Sequence, residues 1–165
     1  MRLWDVTLWV SAFRADSLLH AKTRALLLDA FDRREPFLFC PSLASYFLRL
    51  VTNPLICVQA SEWREALGFI DWLEKHPASQ FVEFDAMAHG IFRHLCLMEG
   101  ATANSVPDAF LAALAIRHNA TLVTADAAMK KWKGTDVEML GNSIPKAVAG
   151  GRPVFHAYFK EEKRT

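Results

Sequence analysis

The chain reads as an α/β domain built around a mostly parallel sheet, and three observations carry that reading. Short apolar runs with strand character alternate with longer segments whose apolar residues recur at helical spacing. The intervals between successive strand candidates are long enough for the helical crossovers, about a dozen residues or more, that parallel neighbours require. Acidic residues stand at the ends of strand candidates, where open α/β sheets place their functional crevice.

In chain order, Arg2 to Val6 is the first strand, apolar but for Asp5 at its end. Leu18 to Phe31 has helical spacing, and Phe37 to Cys40 is a second strand. Leu43 to Val51 is the next helix, stopped by Thr52-Asn53-Pro54. Ser61 to Lys75 follows, with Trp63, Ala66, Phe69, Ile70 and Trp72 at helical intervals, and His76-Pro77 ends it. That stripe suits a core or dimer face better than a base-stacking platform. Phe81 to Phe84 is the third strand, Ala86 to Met98 a helix closed by Gly100, and Pro107 to His118 the last long helix. Thr121 to Thr124 is the fourth strand, and Val137 to Leu140 a weaker fifth. Residues 1–140 thus form one domain. The segment 141–165, with Gly150-Gly151-Arg152-Pro153 and a charged end, reads as an extension whose Val154 to Phe159 is apolar enough to dock on the domain or a partner.

A length of 165 residues supports a substantial core without disulfide staples. Although 52% of residues are hydrophobic, no apolar run approaches the roughly eighteen needed to span a bilayer. Met1-Arg2-Leu3-Trp4-Asp5 puts an acid where a signal peptide would be apolar, so a cytoplasmic protein without membrane contact is expected. Cys40, Cys57 and Cys96 are widely spaced in apolar surroundings and read as reduced thiols. A net charge of +1 excludes a broadly basic protein, so any nucleic-acid contact must come from local patches.

The chemistry lies in three acids. Asp5 and Asp126 fall at carboxyl ends of strands, and Asp108 in the first turn of the helix that precedes one. Each also has a local explanation. Asp5 could sit in a polar turn, Ser105-Val106-Pro107-Asp108 fits a helix start with Ser105 as its cap, and Asp126 could cap a short helix at Ala127 to Trp132. As a set they mean more, because two carboxylates within about 4 Å repel by on the order of 1 to 4 kcal/mol and call for a cation. Mg2+ or Mn2+ suits oxygen ligands and acts on phosphates, which points to phosphodiester cleavage.

At these residues the sequence resembles the PIN-domain family, and within it the bacterial VapC-type toxin ribonucleases. The likeness is carried by Asp5-Val6-Thr7 with Ser11-Ala12-Phe13-Arg14, by Asp16-Ser17-Leu18-Leu19-His20-Ala21, and by Phe47-Leu48-Arg49-Leu50-Val51-Thr52-Asn53-Pro54. Pro107 to Ala115 and Thr124-Ala125-Asp126 complete it. The resemblance implies a PIN-like three-layer α/β/α sandwich that cleaves RNA with Mg2+ or Mn2+, is inhibited by an antitoxin protein and forms a homodimer. It implies Asp5, Asp108 and Asp126 as metal ligands, Thr7 and Thr124 as polar supports, and Asn104 as a further polar position. One departure stands out: many members carry Glu where this chain has Tyr46, which removes a formal charge and leaves a catalytically degenerate RNA- or protein-binding module as the alternative. The fourth motif departs too, because Asp126-Ala127-Ala128-Met129 lacks the second acid that members often place there.

Met129-Lys130-Lys131-Trp132-Lys133 pairs cations with an aromatic ring and could hold a phosphate backbone and stack a base, or could be a solvated face. Arg14 and Arg49 are candidate substrate contacts, Arg49 alternatively pairing with a site carboxylate. His89, His94 and Cys96 do not share one helical face, which argues against zinc. Ser, His and Asp form no recognisable nucleophile motif.

Overall fold

Asp5 ends the first strand by starting a helix. Its carboxylate accepts the Thr7 N–H at 3.0 Å, capping a segment, Val6–Phe13, whose residues are apolar on nearly every side. Sequence does not disclose this helix, because a run of eight residues with only Thr7 and Ser11 polar is too short to be told from a buried strand by its apolar pattern. In the computed structural model, which describes residues 1–57, 59–102 and 105–140, the elements run β1 (Arg2–Trp4), α1 (Val6–Phe13), α2 (His20–Asp32), β2 (Phe37–Phe39), α3 (Pro41–Val51) and α4 (Trp63–Glu74). They continue with β3 (Ser79–Phe81), α5 (Ala86–Met98), α6 (Val106–Arg117), β4 (Thr121–Thr124) and β5 (Val137–Met139), with a 3-10 turn at Ala127–Lys131 between the last two strands.

The five strands form one sheet in the order β3-β2-β1-β4-β5, every pair parallel. β3 starts earlier than its apolar run suggests, because pairing with β2 (Phe37 with Ser79, Phe39 with Phe81) defines an edge strand more than side-chain hydrophobicity does. The chain steps from β1 to β2 to β3 in one direction and then returns past β1 to β4. Right-handed crossovers therefore place α1 to α4 on one face and α5 with α6 on the other, the expected three layers.

The two faces are built differently. Under α1 to α4 lie interlocking rings: Phe13 meets Phe47 edge-on at 5.3 Å and Phe69 at 5.4 Å, while Phe31 stacks on Phe37 at 5.0 Å. On the other face α6 presents Ala109, Ala112, Ala113 and Ala115, all fully buried, so its backbone lies close to its neighbours. Arg117 near the end of α6 pairs with Asp85, which also caps α5 by accepting the Ala88 N–H. The three cysteines are free thiols. Among the described residues no helix is long and apolar enough to cross a membrane. The extension 141–165 lies outside the described residues.

Candidate active site

The strand order reverses at β1, which has β2 on one side and β4 on the other, and the carboxyl ends of strands at such a switch point form a crevice. Trp4 pairs with Val123, so the next residues, Asp5 and Thr124, come side by side just past the end of β1. Asp5 is 5% exposed and fully engaged: Oδ1 accepts the Thr7 N–H at 3.0 Å, and Oδ2 accepts the hydroxyl of buried Thr124 at 2.6 Å. The same Thr124 hydroxyl accepts the Asp126 N–H at 3.0 Å. One hydroxyl thus ties the first acid to the backbone of the third. Asp126 in turn accepts the Ala128 N–H at 2.8 Å, so the capping role read from sequence is real and leaves its second oxygen available.

Asp108 stands in the first turn of α6, half-buried. Its pKa is raised above the ordinary carboxylate value, first by burial and then by the negative charges of Asp5 and Asp126, with Lys131 opposing the shift. The three acids therefore share one electrostatic site although they are 103 and 18 positions apart in sequence. Ser105 occupies the cap position of α6, but its hydroxyl engages Thr102 rather than the helix.

Mutually repelling, partly desolvated carboxylates are a donor set that a hard divalent cation stabilises. No group of three His, Cys, Asp or Glu side chains among the described residues is arranged to hold a metal ion. The donor chemistry fits an ion that binds through one or two carboxylates and keeps several waters, as Mg2+ does, better than an all-protein zinc cage. His89 and His94 are exposed on α5.

Several sequence-based assignments change. Thr7 supports Asp5 through its backbone N–H, while its side chain is exposed. Arg14 is a structural clasp: its guanidinium pairs with Asp16, donates to the Gln59 carbonyl at 2.8 Å and to Ser61 Oγ at 3.1 Å, and so pins the loop before α4 to the end of α1. With those donors committed, it is not positioned as a free phosphate ligand. Arg49 is exposed near the end of α3 and pairs with no site carboxylate among the described residues. Lys130 and Lys131 are exposed directly after Asp126, and Lys131 Nζ lies 4.3 Å from the centre of the Trp132 ring. Trp132 itself is 1% exposed and cannot receive a base without repacking. In the α4 stripe read as a core or dimer face, Ala66, Phe69 and Ile70 are buried in the core and Trp63 is exposed. Asn104 lies outside the described residues.

Tyr46 takes the place of the expected acid on α3. It is partly buried, edge-on to Phe110 at 5.8 Å, and Phe110 stacks on Phe84 at 4.2 Å. The missing charge is visible in the sequence but the ring packing is not, because the partners come from α3, α6 and the segment before α5.

Residues 3–134 match the sequence profile of the PIN domain. A VapC ribonuclease of Mycobacterium bovis is 32% identical over 129 residues, which cover 78% of this chain and 88% of that protein. Ribonuclease VapC31 of Mycobacterium tuberculosis is 29% identical, covering 76% and 89% respectively. Among solved structures, VapBC2 from Rickettsia felis, crystallised with a DNA fragment from its promoter, superposes with a TM-score of 0.62 at 15% identity over 84% of this chain and 97% of that one. FitAcB from Neisseria gonorrhoeae gives 0.58 at 18% identity over 83% and 96%.

Proposed function

Because the chain belongs to the PIN domain family, we propose that it is a metal-dependent endoribonuclease, the toxin half of a toxin–antitoxin pair, with Asp5, Asp108 and Asp126 as the residues that hold Mg2+ or Mn2+. The observation that carries this reading is the Asp5–Thr124–Asp126 network beside Asp108, whose charge is disfavoured by its neighbours until a cation is supplied. When bound, the ion supplies positive charge to neutralise a phosphate and to acidify water. The chain's own residues do the rest. Thr124 holds the Asp5 carboxylate in one orientation, so no reorganisation is needed as substrate arrives. Lys130 and Lys131 flank the acids and attract the RNA backbone without reading its sequence. Arg49 and Asn104 remain outer candidates for substrate contact.

The alternative, a silent binding module, has the neutral Tyr46 in its favour. Against it stand the retained acids and their connecting hydroxyl, and the VapC ribonuclease relatives that match most of the chain. For a protein antitoxin, Trp63 and Leu67, one turn apart on α4, are exposed apolar side chains that a partner could cover. A homodimer and a cytoplasmic location belong to the same reading.

The test is purified protein, freed of any partner, incubated with total RNA in Mg2+, Mn2+ or EDTA beside an Asp5→Asn/Asp108→Asn variant. Discrete fragments that require metal and vanish in the variant are expected. A folded wild type that cuts nothing in either metal would sink the nuclease reading.

A further inference from the structure

The sheet edge has two flanks of opposite character. On the β4 side, Lys130 and Lys131 are exposed beyond Asp126. On the β2 side, four partly exposed rings form a continuous wall: Tyr46 edge-on to Phe110 at 76°, Phe110 stacked on Phe84 at 20°, and Phe84 edge-on to Phe92 at 78°. Phe110 and Asp108 both lie in the first two turns of α6, on different sides of it. The Tyr46 hydroxyl makes no hydrogen bond among the described residues, although the ring is held in place.

We propose that Tyr46, backed by Phe110 and Phe84, receives an unpaired nucleobase of the RNA next to the phosphate that lies at the three acids. The proposal rests on the nuclease reading and deepens it by naming a base subsite. A single strand crossing the edge over Asp5 meets cations for its phosphates on one flank and a rigid aromatic face on the other. That pairing of a charged track with a stacking platform is how proteins hold unpaired strands. A ring fixed by neighbouring rings loses little freedom when a base stacks on it, so the contact is preorganised. Replacing an acid with Tyr at this position removes one carboxylate that would repel RNA and adds a surface that binds it. Purines, with the larger π-face, are favoured beside the cut.

The experiment is fluorescence anisotropy in EDTA with fluorescein-labelled single-stranded oligoribonucleotides, each carrying an abasic nucleotide at a different position. Wild type should lose roughly 5- to 100-fold in affinity at one abasic position. Tyr46→Leu, which keeps apolar bulk without the π-face, should bind intact RNA that much more weakly and ignore the abasic site, while Tyr46→Phe retains the penalty. Circular dichroism and melting confirm that the variants fold. No abasic-sensitive position in wild type, no RNA binding at all, or a penalty that survives in Tyr46→Leu overturns the proposal. An abasic-sensitive protein that cleaves no RNA in Mn2+ loses the nuclease reading and keeps this one; cleavage without abasic sensitivity does the reverse.

Discussion

The β1–β4 half of the sheet edge and its β2 flank are solved in opposite ways. Over β1 and β4 the side chains are polar, mutually bonded and in part electrostatically strained, with one buried hydroxyl tying the Asp5 carboxylate to the Asp126 backbone N–H and the Asp108 carboxyl pushed toward protonation. On the β2 flank, where the family resemblance leads to the expectation of another carboxylate at residue 46, the rings of Tyr46, Phe110 and Phe84 satisfy one another. The difference teaches that a fourth charge is dispensable to this fold, whereas the Asp5–Thr124 pair is part of how β1 and β4 end.

The largest expected effect follows from breaking the polar half at its centre. Asp5→Asn should lower RNA cleavage by roughly 10²- to 10³-fold or more, the loss of several kcal/mol of charge stabilisation, read in single-turnover assays. Next comes Thr124→Val, which deprives Asp5 of its donor and Asp126 N–H of its acceptor. A cost of about 1–3 kcal/mol and a Tm drop of roughly 3–10 °C are expected, with Thr124→Ser close to wild type by calorimetry.

Tyr46→Glu sharpens the comparison by making the two flanks alike. Mn2+ should bind about tenfold more tightly by isothermal titration, because a further carboxylate joins the site, while the lost edge contact to Phe110 costs about 0.5–1.5 kcal/mol of stability. Unchanged Mn2+ affinity would place residue 46 outside the metal's reach.

Asp108→Asn tests the strain itself. A folded pKa raised above the unfolded value means that the native state binds the proton more tightly, so ionised Asp108 destabilises the metal-free fold. This penalty is absent below the ordinary carboxylate range and complete above the raised pKa. The metal-free protein should therefore lose stability as pH rises through that window, and Asp108→Asn should remove the loss and raise Tm by on the order of 2 °C above it. The smallest effect belongs to Asp85, whose pKa is lowered to about 2 by the Arg117 guanidinium and by its cap bond to Ala88. Its contribution is present above the usual carboxylate value and is lost as pH falls toward about 2, a slope that Arg117→Ala should flatten in acid melts by letting the Asp85 pKa return toward its ordinary value.

Much of this was legible in the chain. Apolar spacing and length mark the longer helices, so α5 is read at its observed ends and α2, α3, α4 and α6 within a few residues. The three acids stand out by their positions at element borders, and the joint order of the motifs names the family. The pattern fails for α1, whose eight residues are too few to be told from a buried strand, and for β3, whose bounds are set by pairing with β2.

The residue types and their spacing alone determined the alternation of strands and helices, the three carboxylates and the absence of charge at residue 46, because these are properties of neighbours along the chain. Tertiary structure alone decided that Thr124 joins Asp5 to Asp126, that Thr7 acts through its backbone, that Arg14 is spent on a loop, that Trp132 is buried and that Tyr46 belongs to an aromatic wall. Each of these depends on contacts between distant segments or on the direction and burial of a side chain, which strand order, register and helix rotation set together.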